Sequence, residues 1–292
     1  MKNSFLLIAA LSVTACTNDA GQVEKDIHEL KADIKEMKAM LAQGGGAARG
    51  GAAGAAVQGA QPQRQQRPEP DRAKTYSVPV DGDPFDGPAD AKVTIVKAYD
   101  YACPYCEKVR PTMEALRQKY GNDLRVVYKQ FVVHPQVATT GALAFCAAGR
   151  QGKATQMDAL LWDKSFKSHT FDKDADNNGK PEKCWDAKEG CPIVLGYAQE
   201  LQLNAEKFKT DMKDCQGLIQ KDMKDLQALG VGATPSFFIN GRFIAGAMPM
   251  ENFVGIVDEE MKKADAAIAA GTPKAEYYQQ AVVSKGLKSL QQ

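Results

Sequence analysis

A pair of cysteines at the point where a strand passes into a helix constrains the fold most strongly. Val93–Tyr99 is rich in β-branched and aromatic residues, which predicts a buried strand. It leads within a few residues into the motif Cys103-Pro104-Tyr105-Cys106. Proline is favoured in the first turn of a helix, and helical apolar spacing then runs to Gly121, with a kink expected at Pro111. The motif is therefore expected at the N-terminus of a helix that directly follows a strand.

That position gives the two cysteines of the motif different chemistry. Unpaired N–H groups and the positive end of the helix dipole stabilise a thiolate at Cys103, which predicts that it is the nucleophile. Cys106 lies one turn further on and is expected to be more buried, so it would resolve a mixed disulfide by attacking Cys103. Pro104 and Tyr105 remove or place hydrogen-bond donors near the thiolate and thus help to set the redox preference of the pair.

The same motif occurs in zinc sites, which need two further thiolate or imidazole ligands. Cys146 has no neighbour at metal-ligand spacing, and the next cysteine pair is distant in sequence. The histidines lie in a helix, at a strand end and in a polar loop, namely His28, His134 and His169. We therefore expect neither a metal nor another cofactor at the motif.

The folded part of the chain, here called the head, begins near Thr75. The remainder of its sequence predicts an α/β architecture. Leu124–Val133 predicts a second strand, which completes a β-α-β unit with parallel pairing. Residues 136–229 show mainly helical apolar spacing. Two short strands within Ser236–Ala245 flank Asn240-Gly241, the dipeptide typical of a type I′ hairpin turn, and Met250–Ala269 predicts a final helix.

Two motifs carry a family resemblance. The segments Asp100–Cys106 and Gly230–Gly241 resemble the active-site entry and the second signature of the DsbA-like thiol-disulfide oxidoreductases. The resemblance covers about residues 75–270 and implies a thioredoxin-like fold with an inserted helical subdomain. On this basis we place the domain at 74–272, with the helical insertion at about 136–229 and a C-terminal tail at 273–292.

The resemblance also implies roles for a second region of the site. The proline of the family's second signature is cis, which implies that Pro235 packs against the CxxC motif and that the Thr234 backbone pairs with substrate. Cis X-Pro bonds are uncommon in folded proteins. The alternative is an ordinary trans proline that opens a strand.

One position departs from the family pattern. The family commonly has a buried acid six residues before the first cysteine, and this chain has Lys97 there. A lysine directed at Cys106 would favour the thiolate and alter the proton transfer that the acid mediates. Alternatively, Lys97 extends along the protein surface to solvent.

The N-terminus predicts export and attachment to a membrane. Residues 1–15 read as a signal peptide with the apolar run Phe5–Leu11, which is too short to span a bilayer. The small residues before Cys16 resemble a bacterial lipobox, which implies lipidation of Cys16 and a tether over 16–22. Thr17 after the cysteine favours an outer-membrane anchor facing the periplasm, and a plain secretory signal is the alternative.

The remaining cysteines fit an oxidising compartment. Without Cys16, six of the seven cysteines remain, an even number. If the CxxC pair closes on itself, the other four permit three pairings. The short gap favours Cys184 with Cys191, which leaves Cys146 with Cys215, although free buried cysteines are the alternative.

A heptad repeat and a linker separate the N-terminus from the head. Residues 23–42 predict a short coiled coil, whose a positions are Ile27, Ile34 and Leu41 and whose d positions are Val23, Leu30 and Met37. Dimerisation through residues 23–41 is expected, and a single solvated helix is the alternative. Residues 43–73 are rich in Gly, Ala, Gln, Arg and Pro and predict a flexible linker that spans roughly 30 Å.

An acidic segment in the predicted insertion resembles a calcium loop. Asp174, Asp176 and Asn178 fall at ligand positions 1, 3 and 5, and Gly179 follows at position 6. Position 12 is Trp185 rather than Glu, although Glu182 at position 9 could contribute. A solvated acidic loop is therefore the favoured interpretation.

Charge and motifs together define the expected function. With 37 basic and 36 acidic residues the chain lacks the charge excess typical of nucleic-acid binding. We expect a disulfide oxidase that acts on cysteine-containing exported proteins and is recycled by a separate redox partner. A dimeric isomerase or reductase is the alternative, because the heptad repeat predicts dimerisation. A metallochaperone or a non-catalytic tethering lipoprotein is a further alternative, but the Met or His residues expected near its cysteines do not occur.

Overall fold

A computed structural model describes Lys31, residues 69–170 and residues 183–290. The predicted signal peptide, Cys16, the linker up to residue 68 and the acidic segment 174–182 lie outside these residues. The predicted coiled coil also lies outside them, except for Lys31, which is helical and exposed. No helix in the described part of the chain is both long enough and apolar enough to cross a membrane.

A five-stranded mixed sheet forms the centre of the head. Its strands are β1 (Phe85–Asp86), β2 (Val93–Tyr99), β3 (Leu124–Gln130), β4 (Ser236–Ile239) and β5 (Arg242–Ala245). The order across the sheet is β1-β3-β2-β4-β5, with β2 parallel to β3 and the other neighbours antiparallel. All seven residues of β2 are buried because the strand is paired on both edges and packed on both faces. The predicted α/β fold with a helical insertion is confirmed.

Helices cover the sheet and form the insertion. They are α1 (Pro104–Lys108), α2 (Arg110–Tyr120), α3 (Pro135–Gly149), α4 (Ala154–Leu160), α5 (Pro192–Glu200), α6 (Ala205–Ala228) and α7 (Met250–Ala269). A π-helical turn, Leu161–Phe166, continues α4. The predicted kink is a full break at Val109, because Pro111 lacks the N–H that would bond one turn back.

Strand β3 is shorter than predicted. The sequence predicted a strand that continues to Val133, but pairing ends at Gln130. Beyond it, the N–H groups of Val133 and His134 donate to Oδ2 of Asp100, at 2.6 and 2.8 Å. The carboxylate thus replaces the backbone partner that a longer strand would need.

The hairpin between β4 and β5 has the predicted turn. Asn240 and Gly241 both have positive φ, 42° and 83°, as a type I′ turn requires. The Asn240 side chain accepts a hydrogen bond from the Thr94 N–H at 2.8 Å and donates one to the Lys92 carbonyl at 3.1 Å. The turn is therefore tied to the start of β2 as well as to its own hairpin.

The predicted C-terminal tail is wrong for residues 273–290, which belong to the folded head. Tyr278 is buried, and its hydroxyl donates to the Val78 carbonyl at 2.8 Å. The Leu287 N–H bonds the Thr75 carbonyl at 2.9 Å. A Cβ on Gly286 would lie 2.5 Å from the Ser77 nitrogen, so only glycine allows this approach.

Two disulfides hold the insertion together. Cys146 in α3 is bonded to Cys215 in α6, at a sequence separation of 69. Cys184 is bonded to Cys191, at a separation of 7, directly before α5. The short sequence gap favoured the second pair, and the first pair then followed by elimination.

The two disulfides should contribute unequally to stability. Loop-closure entropy predicts a loss of about 4 kcal/mol when Cys146 and Cys215 are both changed to Ala, and of about 2.5 kcal/mol for the Cys184 and Cys191 pair. Denaturant unfolding of the two double variants measures the difference. A larger loss from opening the short loop would contradict the entropic account.

A buried ion triad joins three parts of the head. Nζ of Lys129 on β3 lies 2.5 Å from a carboxylate oxygen of Asp83 and 2.5 Å from one of Asp222 on α6. All three side chains are buried. Burial raises the pKa of Asp83 to about 7, and it also raises the pKa of Asp222. Two carboxylates facing one ammonium thus favour uptake of a proton.

Removal of the ammonium should be costly. Lys129→Met leaves two buried carboxylates without a counter-ion, so we expect a loss of about 3–5 kcal/mol at pH 8. Lys221→Met is the matched control, because Lys221 on α6 forms an exposed pair with Asp225, where we expect less than about 1 kcal/mol.

The pH dependence of this stability has a defined sign. The folded pKa of Asp83 lies above its ordinary value of 3.8, so its protonation stabilises the head fully below about pH 4. That contribution is lost as pH rises through about 7. The defect of Lys129→Met should shrink on acidification to pH 5, because protonated carboxylates no longer need the ammonium. A defect that grows on acidification in denaturant titrations would refute this account.

Candidate redox site

Cys103 and Cys106 sit at the start of the helix that follows the central strand. Cys103 is the N-cap residue of α1, with φ −88° and ψ 116°, and Cys106 lies in the first turn. Both are free thiols in the structure. Cys103 is 6% exposed and Cys106 is fully buried, so an incoming sulfur can approach only the first of the two. This is the order of burial expected from the sequence.

The second predicted motif lies directly against Cys103. The Cys103 Sγ donates a hydrogen bond to the Thr234 carbonyl oxygen at 3.3 Å, across 131 residues of sequence. The Thr234–Pro235 peptide bond is cis. Both parts of the site are held by the sheet, since β2 leads into Cys103 and β4 follows Pro235.

Cys103 is the more acidic of the two thiols. Its pKa is lowered to about 5, chiefly by a hydrogen bond from the Cys106 thiol and further by the Thr234 side chain and the backbone N–H groups of Cys106 and Tyr105. Burial opposes this shift. The contact with the Thr234 carbonyl also opposes it, because that contact requires a proton on sulfur. The hydrogen-bond donors lower the pKa more than burial and the carbonyl contact raise it, so Cys103 is a thiolate at neutral pH.

Cys106 has the opposite character. Burial raises its pKa well above the ordinary value, and its hydrogen bond to Cys103 adds to the effect. The pair therefore carries one negative charge, localised on the more accessible sulfur.

The two residues between the cysteines act mainly through their backbone. Pro104 occupies the first helical turn and contributes no N–H. The Tyr105 N–H points at the Cys103 thiolate, whereas its ring is 62% exposed beside the site.

Lys97 is buried and does not extend to solvent. It is 2% exposed, and its Nζ lies 4.6 Å from the centre of the Tyr99 ring, 5.9 Å from that of Tyr128 and 6.0 Å from that of Trp162. Burial lowers its pKa, while the negative charges of Asp158, Cys106 and Cys103 act in the opposite direction. Lys97 is therefore electrostatically coupled to both thiols.

Asp158 is a residue beside the site that the sequence did not predict. It lies on α4, in the insertion, and its Oδ1 accepts hydrogen bonds from the Tyr101 hydroxyl at 2.7 Å and from Trp162 Nε1 at 3.0 Å. The Tyr101 hydroxyl also lies 3.0 Å from that of Tyr99. Nothing in the local sequence around Asp158 indicates this position, because it is set by how the insertion folds back on the sheet.

The sequence also predicted no individual role for Asp100. It is buried, and its Oδ1 accepts from the Ala102 N–H at 2.6 Å, so it shapes the turn into Cys103. Its Oδ2 faces His134 Nδ1 at 3.3 Å as well as the backbone after β3. Its place in the motif Asp100–Cys106 was the available signal. His134 is a contact of this carboxylate, while His169 lines a small cavity beside Pro104.

In the described part of the chain, no cluster of three or more His, Cys, Asp or Glu side chains is arranged to hold a metal ion. The possible calcium ligands at 174–182 lie outside that part.

Comparison with known proteins defines the family. A thioredoxin family model matches residues 80–259, and the chain belongs to the thioredoxin family. The fold resembles the crystal structure of Wolbachia pipientis alpha-DsbA1, with a TM-score of 0.51 and 16% identity over 65% of this chain and 96% of that chain. The resemblance to the DsbA-like proteins is confirmed as a resemblance of fold.

Other relatives differ in overall length. A thioredoxin-like oxidoreductase from Silicibacter pomeroyi DSS-3 is 26% identical, with a TM-score of 0.48 over 62% of this chain and 94% of that one. A Na(+)/H(+) antiporter NhaA from Herminiimonas arsenicoxydans is 30% identical over 189 residues, 62% of this chain. The chain spans about a quarter of the length of the curated relatives it matches, 26% in this case.

The two thiols should be distinguishable by alkylation. The rate of Cys103 modification by iodoacetamide should rise with a midpoint near pH 5, because the thiolate is present above this pH and lost below it. Cys106 should remain unmodified in the folded protein across the same range. Mass spectrometry of the labelled peptides measures both rates, with Cys103→Ser as the control that leaves Cys106 alone. A midpoint near 9, or earlier labelling of Cys106, would contradict the assignment.

Proposed function

We propose that this protein is an exported thiol-disulfide oxidoreductase that forms disulfides in cysteine-containing polypeptides. The observation that carries the proposal is the asymmetry of the pair beside Thr234. The Cys103 sulfur is the more accessible and has the lower pKa, whereas the Cys106 sulfur is fully buried and has a raised pKa. The Thr234 backbone carbonyl lies beside Cys103, where a substrate chain would approach. A pair of this kind favours sequential exchange at one sulfur.

The oxidase reaction follows from this asymmetry. A substrate thiolate attacks Cys103 Sγ of the oxidised pair, the bond between Cys103 and Cys106 breaks, and Cys106 leaves with the electron pair. A second substrate thiolate then attacks the substrate sulfur of the mixed disulfide and releases Cys103 as a thiolate. The substrate gains a disulfide, and the protein retains two electrons until a redox partner removes them.

The low pKa of Cys103 supports oxidation rather than reduction as the preferred direction. A thiolate that is stabilised in the reduced protein makes the disulfide form a stronger oxidant. It also makes Cys103 a good leaving group in the second step. Pro104 and Tyr105 help to set this pKa: Pro104 has no backbone N–H to donate, whereas the Tyr105 N–H donates to the Cys103 sulfur.

The cellular setting is part of the proposal. Residues 1–15 would direct export, and lipidation of Cys16 would anchor the protein in the envelope, facing the periplasm and most simply at the outer membrane. The two disulfides of the insertion are consistent with an oxidising compartment. The linker would let the head reach cysteine-containing exported proteins and the redox partner that recycles it.

A dimeric isomerase is the second candidate, because the heptad at 23–41 would place two heads in one assembly. Isomerases reshuffle existing disulfides and need a pair that is kept reduced. The reduction potential therefore distinguishes the two functions.

The test measures the reduction potential together with two activities. We expect a potential above about −180 mV, rapid oxidation of a dithiol peptide and little refolding of a scrambled disulfide protein. Cys103→Ala and Cys106→Ala should both abolish oxidation, and Cys106→Ala should also accumulate a mixed disulfide with a substrate disulfide, because no second thiol remains to resolve it. Refolding activity with a lower potential would select the isomerase, and oxidation that survives Cys103→Ala would refute both functions.

A further inference from the structure

A cavity of about 590 Å³ lies between the sheet, the helices α1 and α2, and α4 of the insertion. Lys97 on β2 lines it, as do Arg110 on α2 and Asp158 on α4. Lys167, which is 56% exposed, also contributes to the wall, so the cavity meets solvent on that side. Small-molecule sites usually have volumes of about 300–1,000 Å³. The space is therefore large enough for a ligand and can be reached from outside.

The ammonium group of Lys97 is the part of this wall that lacks a partner. The residue is 2% exposed, and it forms neither a hydrogen bond nor an ion pair with any described residue. Its Nζ lies 4.6 Å from the centre of the Tyr99 ring, and a ring face stabilises an ammonium less well than a carboxylate does. Burial lowers the pKa of Lys97, and a carboxylate beside the ammonium would raise that pKa again. The cavity thus offers a buried cation to which a negative group can bind.

The other cations of the wall already have carboxylate partners. Arg117 lies 3.0 Å from Asp86, and Arg110 and Lys167 lie 3.1 and 2.9 Å from Asp163. Because Arg110 and Lys167 share one carboxylate, this group retains one positive charge in excess. That charge attracts an approaching anion towards the cavity.

The carboxylates of the wall limit the charge that a ligand can carry. Oδ1 of Asp158 accepts hydrogen bonds from the Tyr101 hydroxyl at 2.7 Å and from Trp162 Nε1 at 3.0 Å, which stabilise its negative charge. Glu107 and Glu114 also line the cavity, and Glu114 is exposed. These groups would repel a dianion such as phosphate, because a single free ammonium balances only one negative charge. The wall therefore favours a monoanion.

Apolar side chains form another part of the same wall. Val126 and Tyr128 are alternate residues of β3 and so lie on one face of the sheet, and Met113 of α2 lines the cavity with them. An apolar surface of this kind favours contact with a hydrocarbon group. One free cation and an apolar surface thus share a single cavity.

We propose that this cavity binds a small monocarboxylate with a short apolar body. The carboxylate pairs with the Lys97 ammonium, and the apolar body packs against Val126, Tyr128 and Met113. The inference does not depend on the proposed function, because neither Cys103 nor Cys106 lines the cavity.

Butyrate is the probe, and three related molecules test the role of charge. Butyrate is titrated into the full-length protein labelled with nitrogen-15, and amide chemical shifts are followed. We expect saturable shifts centred on Lys97, Tyr128 and Thr155, which line the cavity from the sheet and from α4, with a dissociation constant of about 1 mM. 1-Butanol has a similar chain without charge, and butylammonium carries the opposite charge. Both should bind at least about tenfold more weakly, and phosphate should also bind more weakly than butyrate.

Each comparison can overturn the proposal. Equal or tighter binding of 1-butanol or butylammonium would show that the Lys97 charge makes no difference. Tighter binding of phosphate would refute the assignment of a monocarboxylate. Shifts that do not saturate, or that map away from the cavity, would refute the site itself. These measurements use wild type alone, so they decide the proposal whether or not a variant folds.

Lys97→Met tests the contribution of the ammonium directly. We expect butyrate binding to weaken at least about tenfold, while 1-butanol binding stays unchanged. The variant should fold, because an apolar residue avoids the cost of burying an unpaired charge. Lys164→Met is the matched control, since Lys164 lies in the π-helical turn, pairs with Glu200 at 2.6 Å and does not line the cavity. An unchanged butyrate affinity in Lys97→Met, or an equal loss in Lys164→Met, would contradict the inference.

Discussion

The pairing of β2 with a strand on each side is the constraint on which the site depends. Parallel pairing with β3 brings the ends of both strands to one edge of the sheet, where Asp100 binds the backbone that follows β3. Antiparallel pairing with β4 places Ala98 opposite Ser236, so the chain before β4 lies beside Cys103. A shift of this register by one residue would separate Cys103 from Thr234 and reverse the faces of the buried strand.

Two lysines have buried ammonium groups, and the surrounding groups differ between them. Lys129 is neutralised by two carboxylates within 2.5 Å, which makes it part of the structural connection between sheet and insertion. Lys97 on the paired strand β2 lies one register position before the residue opposite Lys129; it faces Tyr128 across the strands and has aromatic rings instead of a counter-ion. Burial without a counter-ion is unfavourable, and ionisable groups perturbed by burial cluster at functional sites.

Local sequence was sufficient where the determining interactions are local. The β-branched run Val93–Tyr99, the proline after Cys103 and the Asn240-Gly241 turn predicted elements that the structure contains. Predictions were less accurate where a residue distant in sequence supplied the hydrogen-bond partner. Strand β3 ends early because the Asp100 carboxylate takes its N–H groups, and the C-terminal segment packs because Tyr278 reaches the Val78 carbonyl.

The sequence by itself determined the fold class and the order of burial of Cys103 and Cys106, and it predicted that the two form a redox pair, because strand, helix start and CxxC spacing are adjacent in the chain. Only the tertiary structure decided what surrounds them. Asp158 is more than fifty residues from Cys103, yet it shares a cavity with Lys97 because the insertion folds over the sheet. The acidity of Cys103 and the buried state of Lys97 depend on such non-local contacts, and burial and hydrogen bonding between distant segments have no signature in local sequence.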